Sequence, residues 1–185
     1  TMNARQDATW IDEDKYPFAS KTFESEGYQL HYIDEGEGPV FLFVHGTPSW
    51  SYEWRHQIRA LRGQARCIAL DHLGYGLSDK PEDAPLKPED HARRLASFVT
   101  HLDLQDVTLV VHDFGGPIGI GAALEAPHRY RSLVVLNSWM WGLQDKPSAG
   151  KLSKFIASPT GRFMYRWLNA SPKWLVPMSF GETKL

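Results

Sequence analysis

The stretch Val107-Thr108-Leu109-Val110-Val111-His112-Asp113-Phe114-Gly115-Gly116 restricts the fold more than any other part of the sequence. A run of β-branched and apolar residues favours a strand buried on both faces. It ends abruptly at a charged residue, two glycines follow, and Pro117 to Ala126 is helix-compatible and rich in small residues. The pattern is strand, tight turn, helix. Asp113, at its tip, is lifted out of the sheet beside the N–H groups that open the helix, which have no partner within it.

The remaining segments fit around that unit. Lys21–Glu26 and Tyr28–Asp34 read as a hairpin around Gly27, after an arm from Trp10 to Ser20 in which Pro17 argues against regular structure. Val40–Val44 is an unbroken apolar run that predicts a central strand, ending in the loop His45-Gly46-Thr47-Pro48. Tyr52–Leu61 has apolar residues near helical spacing. Ala65–Leu70 reads as a strand that ends in Asp71-His72-Leu73-Gly74-Tyr75-Gly76. Pro88 suits a first helical turn, Glu89 and Asp90 suit its positive end, and Leu95, Phe98, Val99 and Leu102 give an apolar face. Ser132–Leu136 predicts another buried strand, ending at Asn137.

Alternating strands and helices imply a doubly wound, mostly parallel α/β sheet with helices on both faces. Ligands then bind outside the carboxyl ends of the strands, where His45–Thr47, Asp71–Gly76, Asp113–Gly116 and Asn137 all fall. From Trp139 onward aromatic residues crowd a region without a strand signal, and prolines at 147, 159, 172 and 177 cut it into short helices. The expected division is a core over residues 1–138 and the start of a helical cap over 139–185.

A chain of 185 residues with 42% hydrophobic and 23% charged residues has enough apolar content for a packed core. A net charge of −2 without a basic block gives no footprint for nucleic acid or an anionic membrane. Cys67 is the only cysteine, so no intrachain disulfide forms, and no apolar run is long enough to span a bilayer. These features predict a soluble, cytoplasmic protein whose partners are a small-molecule substrate and water.

Asp113 could simply cap the following helix. On a strand-turn-helix elbow it can instead act as a nucleophile. A carboxylate there can attack an sp³ carbon, displace halide or open an epoxide, and leave an alkyl ester. The backbone N–H groups of Thr47 and Phe114 are the predicted oxyanion donors. His45 reads as a structural residue that orients its loop, and pleat alternation turns His112 away from Asp113. Asp71 and His72 lack a third ligand at recognisable spacing, so they read as loop braces. Cys67 reads as buried and inert. Trp50, Trp139 and Trp141 are the aromatic candidates for lining a substrate pocket.

The segments His45-Gly46-Thr47-Pro48-Ser49-Trp50-Ser51-Tyr52, Asp71 to Pro81, and Val111-His112-Asp113-Phe114-Gly115-Gly116-Pro117 together resemble the α/β-hydrolase superfamily. More narrowly they resemble its haloalkane dehalogenase and epoxide hydrolase branch, from about Lys21 to Leu185. The resemblance implies hydrolysis without cofactor or metal, with Asp113 as nucleophile. Haloalkane dehalogenase-like chemistry on small apolar substrates is the leading expectation and epoxide hydrolysis the alternative. A non-catalytic binding module is the reading if the protein ends at Leu185. Two positions depart from the pattern: Phe114 stands where haloalkane dehalogenases usually carry Trp, and Thr47 where many carry Asn. The resemblance also implies an acid and then a histidine later in the chain. The last histidine is His128, so both groups are expected in a further C-terminal segment or on a second chain.

Overall fold

The computed structural model describes residues 10–139, with 154–155, 158–160 and 163 beyond them. The chain divides into two compact units, Thr1–Met140 and Trp141–Leu185. In the second, the short described pieces include helical turns.

The first unit contains strands β1 (Lys21–Ser25), β2 (Tyr28–Glu35) and β3 (Val40–Val44), a 3₁₀ turn at Ser51–Trp54, and helix α1 (Arg55–Leu61). Strand β4 (Arg66–Leu70), helix α2 (Pro88–His101), strand β5 (Val107–Asp113), helix α3 (Gly115–Glu125), a 3₁₀ turn (Pro127–Arg129) and strand β6 (Tyr130–Ser138) follow. The strands form one sheet in the order β1-β2-β4-β3-β5-β6. The β1–β2 hairpin is antiparallel and joins β4 antiparallel, whereas β4, β3, β5 and β6 run parallel.

Side-chain alternation along the strands builds a core on each face of this sheet. On one face Leu42, Val44, Leu109 and Val111 pack with Leu95, Phe98 and Val99 of α2 and Ile118 and Ala122 of α3. On the other, Phe43, Cys67, Ala69 and Val110 pack with Trp54, Ile58 of α1, and Tyr16 and Phe18 of the N-terminal arm. Helices on both faces make the sheet doubly wound, as the alternation predicts. The arm has no regular structure, yet Tyr16 and Phe18 are buried and complete the second core.

Helix α2 begins at Pro88, and Asp90 Oδ2 accepts from Lys87 N at 3.1 Å, satisfying an N–H at the entrance. The small residues of α3 let it lie tight on the sheet: a Cβ at Gly119 would sit 2.8 Å from Val111 Cγ1. The segment expected to be one helix from Tyr52 is instead a 3₁₀ turn followed by α1.

The expectation of a buried strand at Ser132–Leu136 is corrected. Strand β6 pairs only with β5 among the described residues, and Leu133, Val134, Val135 and Leu136 are 40–47% exposed. An apolar run encodes the tendency to be covered, not the presence of a neighbour. Here neither face of the strand's centre is enclosed.

Candidate active site

Strand β5 ends at Asp113, which adopts φ +50°, a left-handed conformation that is strained for a side chain with a Cβ. The turn closes because its neighbours are glycine. A Cβ at Gly115 would lie 2.2 Å from Val44 O, and one at Gly116 would lie 1.8 Å from Ser138 Oγ. Ser138 Oγ donates to Asp113 O at 2.6 Å, tying the elbow to the end of β6.

The loop after β3 lies directly against the elbow. Thr47 N–H donates to Asp113 Oδ1 at 3.0 Å. This contact requires Gly46, where a Cβ would sit 2.4 Å from Asp113 Cβ. Phe114 occupies the N-cap position of α3, so the N–H groups of the first turn begin immediately after the carboxylate. The arrangement places a half-exposed carboxylate against one backbone donor and the positive end of a helix.

His45 holds the loop rather than Asp113. Its Nδ1 donates to Gly46 O at 2.9 Å, and its Nε2 accepts from His72 N at 3.0 Å, which sets the tautomer. Burial holds its pKa below the ordinary value. His112 turns away from Asp113: its Nδ1 faces Glu53 Oε1 and its ring lies edge-on to Trp54.

Asp71, at the end of β4, is fully buried and braces the neighbouring loop. It accepts from Ser51 N at 2.8 Å, Leu77 N at 2.9 Å and His31 Nδ1 at 2.9 Å. Burial opposes its ionisation, but the bond from His31 and the backbone N–H hold its carboxyl below the usual range. Gly76, at φ +51°, is needed here, because a Cβ would fall 2.2 Å from Asp71 Oδ2. No group of ligands suited to a metal ion is present among the described residues. Cys67 is buried in β4, and desolvation pushes its thiol up to about 11, so it carries no thiolate at neutral pH.

The aromatic candidates separate. Trp139 packs edge-on against Phe114, with ring centroids 4.9 Å apart, next to the elbow. Trp50 stacks on Tyr52 and packs against Tyr16 and Trp10, among residues of the second core. Trp141 lies outside the described residues.

A cavity of about 190 Å³ opens beside the elbow, lined by His45, Thr47, His72, Tyr75, Leu86, Pro88, His91, Phe114 and Ile118. Sequence reasoning assigned no role to Tyr75 or His91. Tyr75 OH lies 3.2 Å from Thr47 Oγ1, a link between loops 28 residues apart that local pattern cannot show. A larger open groove of about 620 Å³ between β1, α2, α3 and Tyr130 shares no lining residue with this cavity.

The sequence matches the alpha/beta hydrolase fold family over residues 39–183. The chain belongs to that family. The chain is 38% identical over 166 residues to haloalkane dehalogenase 2 of Mycobacterium tuberculosis, a match covering 90% of this chain and 58% of the relative. It is 41% identical over 132 residues to the cis-3-alkyl-4-alkyloxetan-2-one decarboxylase of Shewanella oneidensis, covering 70% of this chain and 42% of that protein. Among solved structures, it resembles the haloalkane dehalogenase DatA of Agrobacterium tumefaciens C58 at a TM-score of 0.76 and 30% identity, over 86% of this chain and 56% of that one. The chain thus spans little more than half the length of these dehalogenases. Among the described residues no helix is long and apolar enough to cross a membrane.

Proposed function

We propose that the full-length protein is a hydrolase of the haloalkane dehalogenase type with Asp113 as its nucleophile. The observation that carries this reading is the 3.0 Å contact from Thr47 N–H to Asp113 Oδ1 at a left-handed elbow. The contact orients the carboxylate and leaves Oδ2 to attack. In the proposed step Oδ2 forms a bond to an sp³ carbon, and the carbon–halogen bond breaks with its electron pair leaving on halide. Water then attacks the ester carbonyl, and the oxyanion that develops receives the Thr47 and Phe114 N–H groups. No histidine is hydrogen-bonded to Asp113 among the described residues, so the base for the second step is assigned to another part of the full-length protein. The region from residue 139 is read as the start of a cap, with Trp139 and Trp141 as its contribution to the substrate pocket.

A second reading has a specific basis. Phe114 offers no side-chain N–H to a departing halide, and one relative of 41% identity is named for action on oxetan-2-ones. In a strained lactone ring the leaving oxygen remains tethered, which lessens the need for a halide site. Supplying the full-length protein with matched haloalkanes and dialkyl oxetan-2-ones separates the readings. Halide and alcohol release supports the first, and carbon dioxide release supports the second. Turnover that survives intact in Asp113→Asn contradicts both.

A further inference from the structure

Two buried ring nitrogens in the cavity beside the elbow lack a partner. His72 and His91 are 3% and 5% exposed, and neither His72 Nε2 nor His91 Nδ1 meets a hydrogen-bonding group among the described residues. Their rings stand 5.2 Å apart, centroid to centroid, and both line the 190 Å³ space. An unpaired buried polar atom is costly, so two together at one cavity point to a ligand.

The protonation pattern narrows the ligand. The other nitrogen of each ring faces a backbone carbonyl, that of His45 for His72 and that of Leu86 for His91. A neutral imidazole has one N–H, and a facing carbonyl draws it to that side, which leaves the nitrogen in the cavity as the lone-pair acceptor. Burial keeps both rings neutral: His72 is held well below the ordinary value, and His91 falls to about 4 with Arg94 nearby as a further cause. Two lone pairs repel an anion, and among the described residues no third ligand stands with them to hold a metal ion. The matching group is neutral and brings two hydrogen-bond donors. Leu86, Pro88, Phe114 and Ile118 give the rest of the cavity apolar walls suited to a short carbon chain.

We propose that this cavity is a substrate subsite for a short neutral diol segment, one O–H donating to His72 Nε2 and the other to His91 Nδ1. The proposal rests on the Asp113 reading only in placing the reacting carbon next door, at Thr47 and Phe114. It extends the substrate class from simple alkyl compounds to those carrying two hydroxyls beside the reacting carbon.

The first test titrates the full-length protein with a propane vicinal diol and follows imidazole ¹⁵N resonances. The expected result is a saturable shift of the His72 and His91 acceptor nitrogens, with His101 and His128 unmoved. Unmoved His72 and His91 resonances overturn the proposal and leave the cavity at most a site for bound water. This measurement needs no turnover, so failure of Asp113 as nucleophile cannot be mistaken for failure of the subsite. The second test compares kcat/KM for a chloropropanediol and the matching chloropropane. In His91→Phe the diol-to-alkane ratio is expected to fall about tenfold, the loss of roughly one hydrogen bond. A ratio equal to the wild-type value overturns the proposal.

Discussion

Two aspartates stand at the carboxyl ends of parallel strands in this chain, and their surroundings differ in kind. Asp71, after β4, is fully buried and accepts from two backbone N–H groups and His31. Asp113, after β5, is half-exposed and its side chain receives one backbone N–H, from Thr47. A carboxylate whose lone pairs are saturated by fixed donors has no reactive direction left and serves the fold. One with a single orienting donor, on a strained turn, keeps an oxygen available for reaction. Environment rather than residue type separates the brace from the proposed nucleophile.

Substitution at the two positions should therefore part activity from stability. Asp113→Asn is expected to lower single-turnover ester formation on the order of 10⁴-fold or more, while the midpoint of urea unfolding stays near the wild-type value. Equal losses in both measurements would erase the contrast. Asp71→Ala should do the reverse, costing about 3–5 kcal/mol in urea unfolding, because it strands His31 and two backbone donors in the interior. A loss below about 1 kcal/mol would show that Asp71 does not brace its loop. Gly46→Ala should come next in size. Its Cβ, 2.4 Å from Asp113 Cβ, must displace the carboxylate, for an expected drop of roughly 10²-fold in kcat/KM. Preserved activity in that variant would mean that the Thr47 contact is not required.

The smallest effect concerns pH. The Asp71 pKa is lowered in the fold, so its stabilisation is complete above the unfolded value of about 3.9 and is lost as pH falls through the folded one. His91 also has a lowered pKa, about 4 against an unfolded value of about 6.5. The unfolded chain then binds the extra proton, and stability falls as pH drops from about 6.5 toward 4. The slope is at most about 1.4 kcal/mol per pH unit for each such proton. His91→Phe should remove about one proton's share of that slope, leaving the share of His45 and His72, whose pKa values are also lowered, and the steeper loss below pH 4.

The elbow was legible in sequence because its signals are local: a β-branched strand, a charged tip and two glycines within ten residues. The strands and α2 were legible for the same reason, through apolar runs, Pro88 and the spacing of Leu95, Phe98 and Val99. The exposure of β6 was not, since an apolar strand carries no record of which neighbours enclose it. The burial of Tyr16 and Phe18 was hidden too, because an irregular arm has no periodicity to mark its inward face. The bracing role of Asp71 was legible, but its partners and the His72–His91 cavity depend on residues brought together across the fold. His31 lies 40 positions before Asp71, and His91 enters from a helix whose apolar stripe conceals a polar contact at its start.

The separation between brace and nucleophile is tested most directly by a single turnover of the full-length protein in ¹⁸O-water. Peptide mass spectrometry should then find the Asp113 peptide heavier by one ¹⁸O, the Asp71 peptide unlabelled, and the released alcohol without label. Label confined to the alcohol would mean that water attacks the substrate directly, and would contradict Asp113 as the nucleophile.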